Sequence, residues 1–241
     1  ILITYTVSNY NGSNISCTDS SDGFIITNIS GGNGIDPSLT VWDGPNNFAS
    51  INTSIDSLDI GSYQLFVSDF NGCVDSVLIT LTQPDPILTN YTVDSITCYG
   101  GSDGSLSVQT NNGVSPINYL WSNGSSTQTI NNLSVGQYNV TVTDSNNCSL
   151  SDNITLNQPS ELINDSSTTL VSNVSCFGGS NGSATVSASG GSPGYFYQWD
   201  GNGLYQQSET AINLSANIGI TVTVTDNSFI GCEATASVNI S

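Results

Sequence analysis

The chain has 241 residues, 37% of them hydrophobic, and it contains no lysine, arginine or histidine, so its formal net charge is −19 at pH 7. Without an imidazole or a lysine amine it lacks the usual general bases and imidazole metal ligands, and without basic side chains it cannot neutralise phosphate groups. The composition therefore excludes nucleic-acid binding, a Ser-His triad and Schiff-base chemistry.

Three similar blocks of sequence follow one another, and each contains a cysteine, a tryptophan and a second cysteine in that order. These residues are Cys17, Trp42 and Cys73, then Cys98, Trp121 and Cys148, then Cys176, Trp199 and Cys232. Pro84 and Pro159 lie at the ends of the first two blocks. Proline cannot donate to a β-ladder and stiffens a short linker, so these two residues mark the boundaries between blocks. We therefore predict three domains, at residues 1–84, 85–159 and 160–241, called repeats 1, 2 and 3.

Alternating apolar and polar residues predict short strands in every repeat. The alternation is clear at residues 138–143, 63–67 and 220–224, where Val, Ile, Thr and Tyr suit a half-buried sheet. Dipeptides typical of tight turns occur at Asp22-Gly23, Asn71-Gly72, Asp103-Gly104 and Asn181-Gly182. About seven short strands in roughly 80 residues predict an all-β chain of three tandem immunoglobulin-like β-sandwich domains.

The even number of cysteines, with one pair in each repeat and no clustering typical of a metal site, predicts a disulfide framework in an oxidising compartment. Each bond would tie the start of the second strand to the turn before the last strand, and would stabilise a small domain by about 4 kcal/mol. The predicted pairs are Cys17–Cys73, Cys98–Cys148 and Cys176–Cys232.

The segments "CYGGSDGSLSV", "GQYNVTVTDSNNC" and "ITLNQP" resemble the SprB repeat of very large cell-surface adhesins from gliding bacteria that use type IX secretion. Repeat 1 departs from this pattern at Thr18-Asp19, and repeat 3 has Ile220 in place of a strand tyrosine. The resemblance implies an extracellular stalk or filament with no catalytic residues. Its expected partners are neighbouring repeats of the same chain, the outer-membrane gliding or secretion machinery, and an external surface or polysaccharide.

The tryptophan of each repeat has two interpretations. It could form a platform on which a sugar ring stacks, but a tryptophan that occurs once in each β-sandwich is usually the anchor of the core. We therefore predict that Trp42, Trp121 and Trp199 are core residues.

Aspartates recur at equivalent positions of the repeats. Those at strand ends are Asp69, Asp144 and Asp226. In the early turns, Asp22 and Asp103 correspond to Asn181 in repeat 3. Carboxylates suit calcium, whereas an Asx turn needs only a side-chain oxygen. The Asx turn is favoured, with weakly bound calcium as the alternative and no other cofactor expected.

A third feature is the triplet Asp-Ser-aliphatic. It resembles the O-glycosylation signal of bacteria that carry SprB-like adhesins. The serines that would carry a glycan are Ser57, Ser76 and Ser95.

The leading functional hypothesis is a structural stalk within a surface adhesin. The alternative is a glycan- or protein-binding module that uses loops specific to each repeat, with residues 43–57 and 200–212 as candidates. An enzyme is disfavoured: two carboxylates can hydrolyse a glycoside, but no repeat contains a suitable acid pair.

Overall fold

Strands and turns make up the computed structural model, which describes residues 1–36, 39–201, 204–216 and 219–241. The described part contains no α-helix and no helix long and apolar enough to cross a membrane. Repeat 1 contributes β1 (Leu2–Val7), β2 (Gly23–Ser30), β3 (Val41–Gly44), β4 (Phe48–Ser50), β5 (Ser54–Leu58), β6 (Gly61–Ser68) and β7 (Val74–Leu81). Repeat 2 contributes β8 (Leu88–Asp94), β9 (Gly104–Asn111), β10 (Asn118–Trp121), β11 (Thr129–Leu133), β12 (Gly136–Thr143) and β13 (Ser149–Leu156). Repeat 3 contributes β14 (Ile163–Ser172), β15 (Gly182–Ser189), β16 (Phe196–Gly201), β17 (Leu204–Gln206), β18 (Thr210–Leu214), β19 (Gly219–Thr225) and β20 (Glu233–Asn239).

Each repeat supplies two sheets with the same strand order. In repeat 1 the sheets are β1-β2-β5 and β4-β3-β6-β7, and in repeat 3 they are β14-β15-β18 and β17-β16-β19-β20. Repeat 2 supplies β8-β9-β11 and β10-β12-β13. The two strands that open a repeat thus share a sheet with a later strand, while the tryptophan strand joins the last two strands. This is the strand order of an immunoglobulin-type sandwich, which confirms the predicted all-β class.

The core of repeat 1 lies between its two sheets. Ile25 and Leu58 from the first sheet belong to one buried cluster with Trp42 and Leu65 from the second. In β6 the buried residues alternate with more exposed ones, as the sequence predicts. Repeat 3 is built in the same way, and its core contains Ala184, Val186, Trp199, Ala211, Leu214, Ile220, Val222, Val224, Val238 and Ile240.

By the density of its contacts the chain divides into two compact units rather than three. The first unit comprises Ile1–Asn90, Val108–Gln128 and Asn139–Asp152, and the second comprises Tyr91–Ser107, Thr129–Tyr138 and Asn153–Ser241. The sheets therefore repeat three times, but three separate compact domains are not confirmed. The boundaries at 84/85 and 159/160 fall between strands and stay a prediction.

Candidate functional site

Two disulfide bonds connect each repeat to the next. Cys17 bonds to Cys148 within the first compact unit, with an S–S distance of 2.09 Å and a Cα–Cα distance of 5.5 Å. Cys98 bonds to Cys232 within the second unit, with corresponding distances of 2.05 Å and 5.7 Å. In both bonds the early cysteine of one repeat pairs with the late cysteine of the following repeat.

The predicted pairing within each repeat is therefore wrong, and the sheet geometry of repeat 1 explains why. The N–H groups of Asn14 and Ile15 both donate to the carbonyl of Thr82, at 2.8 and 2.9 Å, so the chain near Cys17 lies at the end of β7. Cys73 directly precedes the start of β7. The eight residues of this strand extend about 25 Å, whereas a disulfide needs a Cα–Cα distance of about 4 to 7 Å.

Repeat 3 shows the same separation of its two cysteines. The N–H of Val174 donates to the carbonyl of Ser241, which places the region of Cys176 beside the chain that leaves β20. Cys232 directly precedes β20, so the strand separates it from Cys176. The pair Cys98–Cys148 is also wrong, because each of these cysteines bonds to another repeat. Cys73 and Cys176 carry free, exposed thiols.

Hydrogen bonds accompany the bond between Cys17 and Cys148. The side-chain amide of Asn146 donates to the carbonyls of Ser16, at 3.2 Å, and Tyr10, at 3.4 Å. The sulfur of Cys148 lies 3.2 Å from the Ser16 carbonyl oxygen. The two repeats are therefore joined by several polar contacts as well as by sulfur.

A buried aspartate orders the turn that presents each late cysteine. In repeat 2, Oδ1 of Asp144 accepts the N–H groups of Asn146 and Cys148, both at 2.9 Å, while Oδ2 accepts the N–H of Val114 at 3.0 Å. The equivalent donors are Asn71, Cys73 and Asn33 for Asp69, and Ser228, Cys232 and Ser192 for Asp226. Both carboxylate oxygens are thus engaged by backbone N–H groups, which favours the Asx turn over calcium. In the described residues no cluster of three or more His, Cys, Asp or Glu side chains could hold a metal.

At Asp69 and Asp226 these hydrogen bonds favour the ionised carboxylate. Burial opposes ionisation of Asp226, but the hydroxyl of Ser228 and the N–H groups of Ser192, Cys232 and Ser228 outweigh it and lower the pKa to about 2. The N–H of Cys73, followed by that of Asn33, lowers the pKa of Asp69. The charges of Asp69 and Asp226 therefore stabilise the turns that hold Cys73 and Cys232.

The early turns use a side-chain oxygen without needing its charge. The N–H of Ser16 donates to Asp22 at 3.0 Å, and in repeat 3 the N–H of Ser175 donates to the amide oxygen of Asn181 at the same distance. A neutral amide thus replaces the carboxylate, which again favours the Asx interpretation. Bonds from Thr97 to Asp103 complete the set in repeat 2 and lower the pKa of Asp103.

The glycines that follow these turn residues are not in tight turns. Gly23, Gly104 and Gly182 begin β2, β9 and β15, and none has a positive φ. A Cβ on Gly104 would lie 2.6 Å from Leu156, and one on Gly182 would lie 2.8 Å from Ile240. Glycine is favoured because a Cβ here would displace Leu156 or Ile240, and at Gly182 it would also lie 2.9 Å from the carbonyl oxygen of Leu214. Among the four predicted turn dipeptides, Asn71-Gly72 does have a positive φ, at Gly72.

The three tryptophans are buried, which confirms the core interpretation and leaves no face for a sugar. Their relative exposure is 0% for Trp42 and Trp199 and 2% for Trp121. Each indole N–H donates to a backbone carbonyl, which satisfies the one polar atom of the ring. The acceptors are Asn52 for Trp42, Thr127 for Trp121 and Ser208 for Trp199.

A tyrosine corner is a feature that the sequence interpretation missed. The hydroxyl of Tyr63 donates to the carbonyl of Asp59 at 3.1 Å, and that of Tyr138 donates to the carbonyl of Ser134 at 2.9 Å. Immunoglobulin-type sandwiches use such a bond, four residues upstream, to fix the approach to the penultimate strand. The available signal was a tyrosine six residues before Asp69 and before Asp144. Ile220 lies at the same distance before Asp226.

The two candidate recognition loops are largely strands. Residues 43–57 contain the end of β3, all of β4 and most of β5, because the chain turns at Pro45–Asn47 and pairs back along β3. Residues 200–212 contain β17, which pairs with β16 in the same way; residues 202–203 lie outside the described residues. The extra residues of repeats 1 and 3 thus form an additional edge strand.

The three candidate glycosylation sites are accessible. Ser57 lies in β5, Ser76 lies in β7, and Ser95 directly follows β8, and all three residues are exposed. Their modification stays a prediction.

Two solved structures similar to the chain are of Dscam, one concerned with the structural basis for Dscam isoform specificity and one of the N-terminal four Ig domains of Dscam1 isoform 6.44. Each has 12% sequence identity and a TM-score of 0.24. The first comparison covers 92% of this chain and 70% of that chain, and the second covers 90% and 69%. At this TM-score the likeness carries no argument about this chain.

No curated protein sequence matches the chain. The family model of the SprB repeat matches residues 90–126 and 168–204. The first matched segment begins within β8 and extends past Trp121, and the second begins within β14 and extends past Trp199. Two segments of the chain, in repeats 2 and 3, therefore match the SprB repeat.

Proposed function

We propose that this chain is a tension-bearing segment of the stalk of a large bacterial cell-surface adhesin that acts in gliding motility and surface attachment. The two segments that match the SprB repeat support an adhesin, since the resemblance to that repeat implies a cell-surface adhesin. The single observation that carries the structural role is the pair of disulfides, Cys17–Cys148 and Cys98–Cys232, that join consecutive repeats.

A bond between repeats does what a bond within a repeat cannot. When the chain is pulled from its two ends, a disulfide within a repeat leaves the linker as the sole covalent connection to the next repeat. Cys17–Cys148 instead bypasses the linker around Pro84, so tension passes directly from repeat 1 to repeat 2. In the chain-entropy model, closing a loop of this sequence separation, 131 residues, also stabilises the folded state by about 5 kcal/mol.

The composition suits an exposed fibre. Because lysine and arginine are absent, proteases that cut after basic residues find no site in the chain. A net charge of −19 makes neighbouring fibres repel each other and keeps them apart in solution. The absence of basic residues, which excludes catalysis by basic groups, thus also favours persistence outside the cell.

Antibody fragments raised against the purified chain test the proposal on intact producing cells. We expect them to label extended surface fibres, to slow gliding and to reduce attachment, and we expect the label to disappear when type IX secretion is blocked. Fragments against a cytoplasmic protein are the control. Labelling only after the cells are permeabilised would contradict the proposal.

A binding role at the additional edge strands is the second candidate. The hairpins β3–β4 and β16–β17 occur in repeats 1 and 3 but have no counterpart among the strands of repeat 2. Directly after β4, Ile51 exposes 69% of its surface and is accessible to a ligand. A glycan array with the purified chain would show selective binding if these hairpins recognise a polysaccharide, and no binding if they only extend the sheet.

A further inference from the structure

The two free cysteines occupy the same structural positions as cysteines that are bonded elsewhere in the chain. The N–H of Cys73 donates to Asp69 at 2.9 Å, as those of Cys148 and Cys232 donate to their own buried aspartates. The carbonyl of Cys73 also accepts the N–H of Asp69, at 2.9 Å, as in the other two repeats. Cys73 is therefore a late cysteine in the conformation that forms a bond in repeats 2 and 3.

Cys176 is the corresponding early cysteine. Its carbonyl accepts the N–H of Gly179 at 2.9 Å, and the carbonyl of Cys98 accepts the N–H of Gly101 at 3.0 Å in the equivalent turn. Cys98 is bonded to the following repeat, whereas Cys176 is exposed and free. One chain thus presents one unpaired early cysteine and one unpaired late cysteine.

Exposed apolar residues lie near each of the two free cysteines. Phe70 and Val74, on either side of Cys73, expose 66% and 79% of their surface, and Phe177, next to Cys176, is fully exposed. At the bonded pair Cys17–Cys148 the corresponding residues are polar on both sides, namely Thr18, Ser145 and Ser149. In the bonded pair Cys98–Cys232 the flanks differ, with Tyr99 beside Cys98 and with Asn227 and Glu233 near Cys232. Contact between the free cysteines of two copies would bury exposed aromatic surface.

We propose that Cys176 of one copy of this chain forms a disulfide with Cys73 of a second copy, so that the same link continues between chains. The contact joins unlike surfaces, because every bond in the structure pairs an early with a late cysteine. One such bond leaves one free cysteine at each end of the dimer. Repetition of this heterologous contact adds further copies, as an open filament unless the rotation between copies closes a ring.

The bond forms by oxidation, and its balance is simple. The Sγ atoms of Cys176 and Cys73 lose two protons and two electrons and form one S–S bond. A disulfide oxidant, such as oxidised glutathione, takes up both electrons and both protons and is cleaved to two thiols. Because both copies carry a charge of −19, salt near physiological strength is needed to screen their repulsion.

Complementary variants of the full chain test the proposal. Cys73→Ser retains only the early thiol, and Cys176→Ser retains only the late one; both replaced residues are exposed, so circular dichroism and thermal unfolding should match the parent chain. One variant is labelled with ¹⁵N, the two are mixed in equal amounts with oxidised glutathione, and covalent dimers are weighed by mass spectrometry without reductant.

We expect most covalent dimers to contain one copy of each variant, well above the half that random pairing gives, and we expect the parent chain to form a ladder of longer oligomers. Trypsin has no site in this chain, so the dimer is digested with pepsin, at a low pH that also prevents thiol exchange. This digestion should yield the peptide that joins Cys73 to Cys176. Random pairing, or no more dimer in the mixture than in each variant alone, would overturn the proposal.

This inference rests on the connectivity that supports the proposed function, and the two can fail separately. The same peptide map reports Cys17–Cys148 and Cys98–Cys232. If these bonds are present and the mixed dimer does not form, the link between copies is refuted and the tension-bearing role within one chain stands.

Discussion

The bonds between repeats fix how far the chain extends when it is pulled from both ends until every repeat has unfolded. Without disulfides the 241 residues would extend about 820 Å at roughly 3.4 Å per residue. With Cys17–Cys148 and Cys98–Cys232 intact, the shortest covalent path runs from residue 17 to 148, back to 98 and across to 232, and it extends about 270 Å. Force spectroscopy measures this final contour length, and a reductant should raise it about threefold.

Variants in which two cysteines are replaced by serine distinguish bonds between repeats from bonds within repeats. Cys17→Ser with Cys148→Ser removes one link and should raise the contour length to about 370 Å, whereas Cys73→Ser with Cys176→Ser should leave it at about 270 Å. If the cysteines instead pair within repeats, the second variant loses two bonds and extends to about 650 Å. A contour length near that value for Cys73→Ser with Cys176→Ser would refute the reasoning.

Four further predictions concern individual residues. Gly182→Ala brings a Cβ to 2.9 Å from the Leu214 carbonyl oxygen and should lower the free energy of unfolding in urea by about 1 to 3 kcal/mol, while Gly219→Ala, with nothing within 4 Å, should change it by less than about 0.5 kcal/mol. Asp226→Asn turns an amide donor toward the backbone N–H groups and should cost about 1 to 3 kcal/mol, whereas Asp103→Asn should be tolerated, as repeat 3 has asparagine there. Because folding lowers the pKa of Asp226 from 3.8 to about 2, its contribution to stability is complete above pH 3.8 and is lost as the pH falls through about 2; acid unfolding followed by circular dichroism should show a smaller loss in Asp226→Asn than in the parent chain. Mass spectrometry of material from the native host should find glycans on the exposed serines of the Asp-Ser-aliphatic triplets, and unmodified peptides at all of them would remove that hypothesis. These serines are Ser57, Ser76 and Ser95.

Local patterns predicted the strands and the core because both depend on neighbouring residues. The alternation at residues 138–143 lies within β12, and the tryptophans are buried as the sandwich architecture requires. Successive side chains of a strand point to opposite faces of the sheet, so the sequence of a single strand is enough to predict which side chains are buried.

The partner of each cysteine could not be read in the same way. Spacing places two cysteines in every repeat, but it does not show that β7 separates Cys17 from Cys73 by its full length. The choice of Cys148 depends on contacts between distant parts of the chain, such as those of Asn146 with Tyr10 and Ser16. Pairing within a repeat was the simplest assumption, and it failed because disulfide geometry is a property of the assembled sheets.

The dipeptide Asp103-Gly104 shows a second limit. In isolation it is typical of a hairpin turn, which requires a left-handed backbone. In the structure the aspartate binds the N–H of Thr97, and the glycine makes room for Leu156 at the start of β9. The same two residues thus serve a capping role and a packing role, and only the position of the last strand distinguishes these from a turn.

The two disulfides are interleaved along the chain, since Cys98 lies between Cys17 and Cys148, and Cys148 lies between Cys98 and Cys232. Any one peptide bond between Cys17 and Cys232 can consequently be hydrolysed without releasing either fragment, because at least one sulfur bridge still spans the break. A chain made in this way survives a single nick by a foreign protease in one piece. Bridges confined to individual repeats would give this damage tolerance inside each repeat but not between residues 73 and 98 or between residues 148 and 176.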